Sequence, residues 1–226
     1  MKIKAIVFGA SGMIGSGVLI EALAHPSVEA VLSIGRSTTG VQHPKLTEII
    51  HKDFTDFSAI EDQLAGYNAC FFCLGISSFR MSEEAYRRIT VDFTKKAGEV
   101  LSRLNPEMTF CFISGAGTDA TSNTMWARVK GEAENILKTF PFKQVFLMRP
   151  GYIQPVKGVK SKTKLYSIIY FFIGSLYPLW KRLFPKIVST SEEIGLAMIH
   201  AVLHGYEKET MESIDVVELA HRHNLS

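Results

Sequence analysis

The stretch Gly9-Ala10-Ser11-Gly12-Met13-Ile14-Gly15 limits the fold of this chain more than any other. It follows at once on the short apolar run 3–8 and leads directly into 13–24, where apolar residues recur at helical spacing. A strand that turns sharply into a helix leaves the first N–H groups of that helix unpaired, with the positive end of the helix dipole behind them. Such a turn is suited to a phosphate. Gly9 permits the sharp turn, Gly12 lets the backbone approach the anion, and Gly15 lets the helix lie close on the strand, while Ser11, Met13 and Ile14 complete the loop.

The rest of the chain repeats the same alternation. Runs 30–34, 48–51, 69–74, 109–114 and 145–148 are short and apolar, as buried strands are, and 60–64, 83–104 and 125–139 carry helix-period apolar residues with Ser82 as the N-cap of the second. Helix 191–203 and a late strand 213–217 are expected to close the domain. This order predicts an α/β fold with a doubly wound parallel sheet of Rossmann type, helices on both faces and a small C-terminal helical cap. A length of 226 residues, 46% of them hydrophobic, suits a single domain over 1–226, with 155–190 as a substrate-side cap.

Charge and special residues narrow the partners. A net charge of +3 with basic and acidic residues interspersed argues against nucleic acid and for a small-molecule substrate. The first apolar run is too short and lacks the cleavage site of a secretory leader, so a cytoplasmic protein is expected. Cys70, Cys73 and Cys111 all fall in apolar runs and read as core thiols, the odd offset between Cys70 and Cys73 sending them to opposite faces of a strand. The uncharged stretch 165–180 falls short of the ~20 residues of a spanning helix. It contains Gly174 and Pro178 and is followed by Lys181 and Arg182. It reads as a cap over the substrate pocket or a dimer helix, with peripheral membrane contact through Lys157, Lys160, Lys162 and Lys164 the less favoured alternative. His200 and His204 lie four apart on one helix without a third ligand and read as a polar helix edge, and His221 and His223 as tail residues, so no metal site is expected. Ser114-Gly115-Ala116-Gly117 is not a hydrolase elbow, because Phe112 stands where that motif needs glycine.

The second strand ends in Arg36-Ser37-Thr38 where a site for NAD usually carries an acid that binds the ribose hydroxyl. A guanidinium there pairs with a 2′-phosphate, and Ser37 and Thr38 add hydroxyls. The predicted cofactor is therefore NADP(H), with NAD(H) as the alternative.

Taken together, the glycine turn, Asp53-Phe54, Cys73-Leu74-Gly75, Ser114, the segment Trp126-Ala127-Arg128-Val129-Lys130-Gly131-Glu132 and Arg149-Pro150-Gly151 give the chain a marked likeness to a known family. It resembles the atypical short-chain dehydrogenase/reductases, a group that includes the Tat-interacting oxidoreductase-like proteins and the NAD-dependent epimerase/dehydratases. The resemblance implies Asp53 and Phe54 near the adenine, Leu74 and Gly75 near its ribose, and Pro150, Gly151, Tyr152 and Ile153 beside the nicotinamide. It further implies Lys130 on the nicotinamide ribose and Ser114 on a substrate oxygen. On their own, Asp53 equally reads as a turn cap, Lys130 as a solvated cation and Ser114 as a strand end. One departure matters, since the family's acid/base tyrosine stands four residues before its lysine and this chain has Trp126 there, whose indole exchanges no proton at useful pH. Tyr152 is the nearest substitute. The expected function is an oxidoreductase or epimerase-like enzyme on a small molecule, with a redox-inactive NADP(H)-binding sensor or scaffold as the alternative, and a homodimer through 83–104 and 125–139 would fit.

Overall fold

The computed structural model describes residues 1–156 and 188–222. Strand β1 (Ile3–Phe8) runs through the turn into helix α1 (Met13–Ala24), followed by β2 (Val28–Gly35), β3 (Leu46–Ile50), a 3-10 turn (Ser58–Leu64) and β4 (Ala69–Phe72). Helix α2 (Glu83–Arg87) continues through a π-helical turn (Arg88–Asp92) into α3 (Phe93–Leu104), then β5 (Thr109–Ile113), α4 (Met125–Leu137) and β6 (Gln144–Arg149). The short strands β7 (Tyr152–Gln154) and β8 (Val188–Thr190) pair with each other, and α5 (Ser191–His204), β9 (Thr210–Glu212) and α6 (Ser213–Arg222) complete the described chain.

Seven strands form one sheet in the order β3-β2-β1-β4-β5-β6-β9. Every neighbouring pair is parallel. The period-2 alternation of each strand splits the core in two. Ile3, Ala5, Val7, Phe71, Cys111, Phe146 and Met148 face α1, α5 and α6, whereas Ile6, Phe8, Cys70, Phe72, Phe110, Phe112 and Leu147 face α3 and α4. Both faces are covered, which is why these strands read as unbroken apolar runs. The chain moves outward from β1 to β3 and then returns to β4 on the other side of β1, so a crevice opens above the carboxyl ends of β1 and β4.

Ser82 caps α2 as expected, its hydroxyl accepting from the Ala85 N–H at 3.3 Å. Four details differ from the sequence reading. The last strand is Thr210–Glu212, and 213–217 belongs to α6. Ser213, Val216 and Ala220 are buried at helical spacing, and Asp215 accepts from the Glu212 N–H at 3.0 Å, which secures the start of that helix. The run 60–64 is a 3-10 turn rather than an α-helix. Cys73 and Leu74 lie beyond the end of β4, and Cys73 is half-buried at the crevice while Cys70 and Cys111 are core. His200 is buried, not an edge residue, its Nδ1 paired with the Leu219 carbonyl at 2.9 Å, and His221 lies on α6 against Glu193. The expected cap at 155–190, including 165–180, falls almost wholly outside the described residues.

Candidate functional site

Above the crevice lies a cleft of about 550 Å³ that begins at the glycine turn and ends at Ser114 and Lys130. Its volume falls within the range of small-molecule sites.

The turn forms one wall. Gly9 has φ 76°, in the left-handed region, and a β-carbon on it would stand 2.8 Å from the Cys73 carbonyl oxygen. Its carbonyl accepts from the Gly12 N–H at 2.9 Å, which folds the loop back on itself. Gly15 packs so tightly that a β-carbon would lie 2.2 Å from the Gly9 oxygen. Gly9, Ser11, Gly12, Met13 and Ile14 line the cleft, and Gly15 supports them from within. The helix start has no side-chain cap and no acid in its first turn, so the helix itself supplies nothing that competes with an anion there.

At the end of β2, Gly35, Arg36 and Ser37 line the cleft. Arg36 is exposed and forms no ion pair among the described residues. The nearest acid on β3, Glu48, accepts from the Thr39 N–H at 2.8 Å. Phe54 is 2% exposed and forms a floor, held edge-on by Phe8 and Phe57. Asp53 is not on the lining: its carboxylate accepts from the Thr55 N–H at 2.9 Å and hydroxyl at 2.5 Å, and these bonds hold it below the usual carboxylate range. The structure thus gives Asp53 the turn-capping arrangement.

Leu74 and Gly75 line the cleft after β4, together with Cys73, Ile76 and Ser77. Across from them Tyr86 and Thr90 reach in from α2 and the π-helical turn. The sequence reading missed these two. Their signal was present, because a tyrosine and a threonine four apart on the helix after β4 share a face, and single π-helical turns often mark functional positions.

At the far end Ser114 follows β5, anchored by its N–H to the Met148 carbonyl at 2.7 Å. Its hydroxyl meets that of Thr118 at 3.0 Å, and Thr118 donates to the Gly115 carbonyl at 2.7 Å. A carbonyl only accepts, so the single hydroxyl hydrogen of Thr118 is taken, and Ser114 donates to Thr118. A substrate oxygen at this end would draw the Ser114 hydrogen away from Thr118, since a hydroxyl turns about its C–O bond to suit its partner. Lys130 donates from Nζ to the Ile113 carbonyl at 3.1 Å and lies 5.5 Å over the Phe112 ring. Burial pushes its amine down to about 8, with Glu134 one turn on opposing the shift. Arg149 reaches from β6 to Glu134 at 2.9 Å and so pins α4 at the level of Lys130.

Trp126 does not line the cleft. Its indole lies against the turn at Gly115 and Gly117, 3.6 Å and 3.8 Å from where their β-carbons would stand. Pro150, Gly151, Tyr152 and Ile153 are off the lining as well. The Pro150 carbonyl accepts from the Ala116 N–H at 3.0 Å, the Gly151 N–H donates to Ser213, and Ile153 is core. The Tyr152 hydroxyl donates to Gln154 at 2.9 Å. Among the described residues no cluster could hold a metal ion.

A model of the NAD dependent epimerase/dehydratase family matches residues 5–125, from β1 to the start of α4. The chain belongs to this family. Among its relatives, the protein fmp52, mitochondrial, of Emericella nidulans is 25% identical over 213 residues, covering 90% of this chain and 88% of its own. The rat protein HTATIP2 is 26% identical over 157 residues, covering 68% of this chain and 64% of its own. The structure of the Bordetella bronchiseptica enzyme WbmF in complex with NAD+ superposes with TM-score 0.69 at 14% identity, over 98% of this chain and 78% of that one. That likeness establishes the Rossmann-type fold. The family match ends just before Trp126, so the glycine turn, Arg36, Leu74 and Ser114 lie inside it and Lys130 beyond. The expectation of a cytoplasmic protein is corrected: several fungal relatives are named mitochondrial, and a first strand close to the N-terminus does not decide a compartment.

Proposed function

We propose that this family member binds NADP(H) along the cleft and works as an oxidoreductase or epimerase-like enzyme on a small molecule. The observation that carries the reading is the continuity of one cleft from the glycine turn and Arg36 to Ser114 and Lys130. The turn 9–15 takes the pyrophosphate, Arg36 and Ser37 the 2′-phosphate, and Phe54, Leu74 and Gly75 the adenosine. Lys130 holds the nicotinamide ribose, and Ser114 binds a substrate oxygen. The nicotinamide ring, when bound, gives or accepts hydride. Tyr152 contributes to the nicotinamide end only as part of the strand that supports it, since its hydroxyl is directed to Gln154. WbmF, similar in fold, was solved with NAD+, which supports a dinucleotide in general. The preference for the phosphorylated form rests on Arg36, which has no acid to satisfy it among the described residues.

The test compares NADPH and NADH affinities in the wild type and in Arg36→Ala by calorimetry. A charge-assisted bond to a phosphate contributes about 1.5–3 kcal/mol, so NADPH affinity should fall about tenfold or more while NADH affinity stays within about threefold. Equal losses for both nucleotides would remove Arg36 from the 2′-phosphate. A second reading, a dinucleotide sensor without turnover, is favoured by Trp126, which leaves no phenol at the family's tyrosine position.

A further inference from the structure

We infer that Lys130 is the acid and base of the reaction, the group that takes the proton from a substrate hydroxyl and returns it in the reverse direction. This rests on the proposed redox reading. It replaces the missing tyrosine with a residue already in the cleft.

The argument begins by elimination. The indole of Trp126 carries no exchangeable proton at useful pH and rests on Gly115 and Gly117, outside the lining. The Tyr152 hydroxyl is also outside the lining, directed to Gln154. Among the described residues on the cleft wall, only Arg36, Cys73, Tyr86 and Lys130 bear groups that ionise. Arg36 stands after β2, and a guanidinium does not serve as a base. Burial pushes the Cys73 thiol up, and its backbone borders Gly9 at the phosphate end. Tyr86 reaches in from α2, and its phenol is the rival that the Tyr86→Phe variant below tests. Lys130 is held close in the chain to the residue that would bind the substrate oxygen, since its Nζ donates to the carbonyl of Ile113, the neighbour of Ser114.

The surroundings of the amine suit proton exchange. Its ammonium form donates to one neutral carbonyl and faces the Phe112 ring. On its own helix the nearest carboxylate, Glu134, is held by Arg149 of β6 through two bonds, so it is already shared. The loop after β5 presents the neutral Ser114 and Thr118, the segment after β4 carries the neutral Cys73, and α2 presents Tyr86. No element facing Lys130 supplies it with an unshared counter-charge among the described residues. This is the environment in which a lysine loses its proton near neutrality, and the amine accordingly titrates near 8.

The step balances. In the oxidising direction the carbinol C–H bond breaks and its electron pair leaves as hydride to the oxidised nicotinamide dinucleotide. The O–H bond breaks, its proton passes to the neutral Lys130 amine, and the carbonyl forms. The substrate is oxidised, the dinucleotide reduced, and the ammonium of Lys130 releases its proton to water. In the reducing direction the ammonium donates to the nascent alkoxide.

The test uses NADPH as the probe in the full chain, with a panel of aldehydes, ketones and quinones as hydride acceptors. Binding of NADPH is first measured by calorimetry: no binding to the wild type would sink the redox reading, whereas the lysine titration below judges Lys130 separately. In protein carrying 13C-labelled lysine, one Cε resonance should titrate with a midpoint near 8 and be absent from Lys130→Arg. NADPH oxidation should slow as pH rises through that midpoint. Lys130→Arg keeps the positive charge, and in protein saturated with NADPH it should lose turnover by about a hundredfold or more, as loss of a general acid implies. In Lys130→Ala, added methylamine should restore part of the rate. A Lys130 midpoint at or above 10, Lys130→Arg turnover within tenfold of wild type, or loss of the pH limb in Tyr86→Phe rather than in Lys130→Arg would each overturn the assignment. A protein that binds NADPH and reduces no acceptor would overturn it too, in favour of the sensor.

Discussion

Two glycines in the same turn are predicted to fail in different ways when alanine replaces them. At Gly15 the added methyl would lie 2.2 Å from the Gly9 oxygen and 2.7 Å from its carbonyl carbon. Both are backbone atoms of the turn, so relief requires α1 to withdraw from β1 by about an ångström, against the α5 contact where Gly17 meets Ser191. Overpacking of this kind costs about 3 kcal/mol, and for a chain of this size the melting temperature should fall by about 5–10 °C. At Gly12 a β-carbon would stand 3.2 Å from the Gly9 oxygen, a tight but tolerable contact, and φ −85° with ψ 171° suits any residue. Its methyl would instead enter the space of the pyrophosphate. Gly12→Ala should therefore melt within about 3 °C of the wild type. It should bind NADPH at least about tenfold more weakly, because the anion is pushed off its N–H donors. Thermal unfolding and calorimetry on both variants decide the matter. A Gly12→Ala protein that binds NADPH as the wild type does would refute the seating of the pyrophosphate, and an unperturbed Gly15→Ala would refute the packing argument.

Other outcomes follow from the site. Thr118→Val leaves the buried Ser114 hydroxyl without this partner, while the Gly115 carbonyl keeps the backbone N–H of residue 118, and should destabilise the fold by about 1–3 kcal/mol; Thr118→Ser should stay within about 1 kcal/mol in a urea titration. Lys130 has its proton affinity lowered by folding from an ordinary value of 10.5 to about 8, so the folded protein bears a penalty at neutral pH that disappears as the unfolded chain also loses the proton. Lys130→Met should accordingly be more stable than the wild type at pH 7, by on the order of 1–3 kcal/mol, with the advantage shrinking between pH 8 and 10. An advantage constant across that range would contradict the shift. Trp126→Tyr should leave the rate of any NADPH-dependent reaction within about threefold, since that side chain rests on Gly115 and Gly117 outside the lining; a large gain would mean that a phenol there reaches the substrate.

The sheet and the phosphate turn were legible because each has a local cause. Strands covered on both faces must be apolar throughout, and a glycine turn between strand and helix has few structural uses other than holding an anion. The misread end of the chain shows where pattern fails: a five-residue stretch with two valines fits a strand, and only the burial of Ser213, Val216 and Ala220 on one side reveals α6. In the site, Arg36 was legible from its place after the second strand, whereas Ser114 and Lys130 were pointed to only by the family resemblance; all three line the cleft. Asp53 was not, because an acid beside a threonine two residues on can satisfy itself locally, as it does with Thr55. Tyr86 and Thr90, four apart on the helix after β4, escaped because apolar periodicity does not mark polar residues that share a face. Tyr152 looked catalytic by its place in the chain, yet where its hydroxyl is directed depends on a partner two residues away, Gln154.

The most direct test of the account is a crystal structure of the protein with NADPH. The pyrophosphate should lie on the N–H groups of Met13 and Ile14, the 2′-phosphate against Arg36, and the nicotinamide at the end of the cleft marked by Ser114 and Lys130. Nucleotide bound elsewhere, or a cleft that stays empty at saturating NADPH, would contradict the central claim.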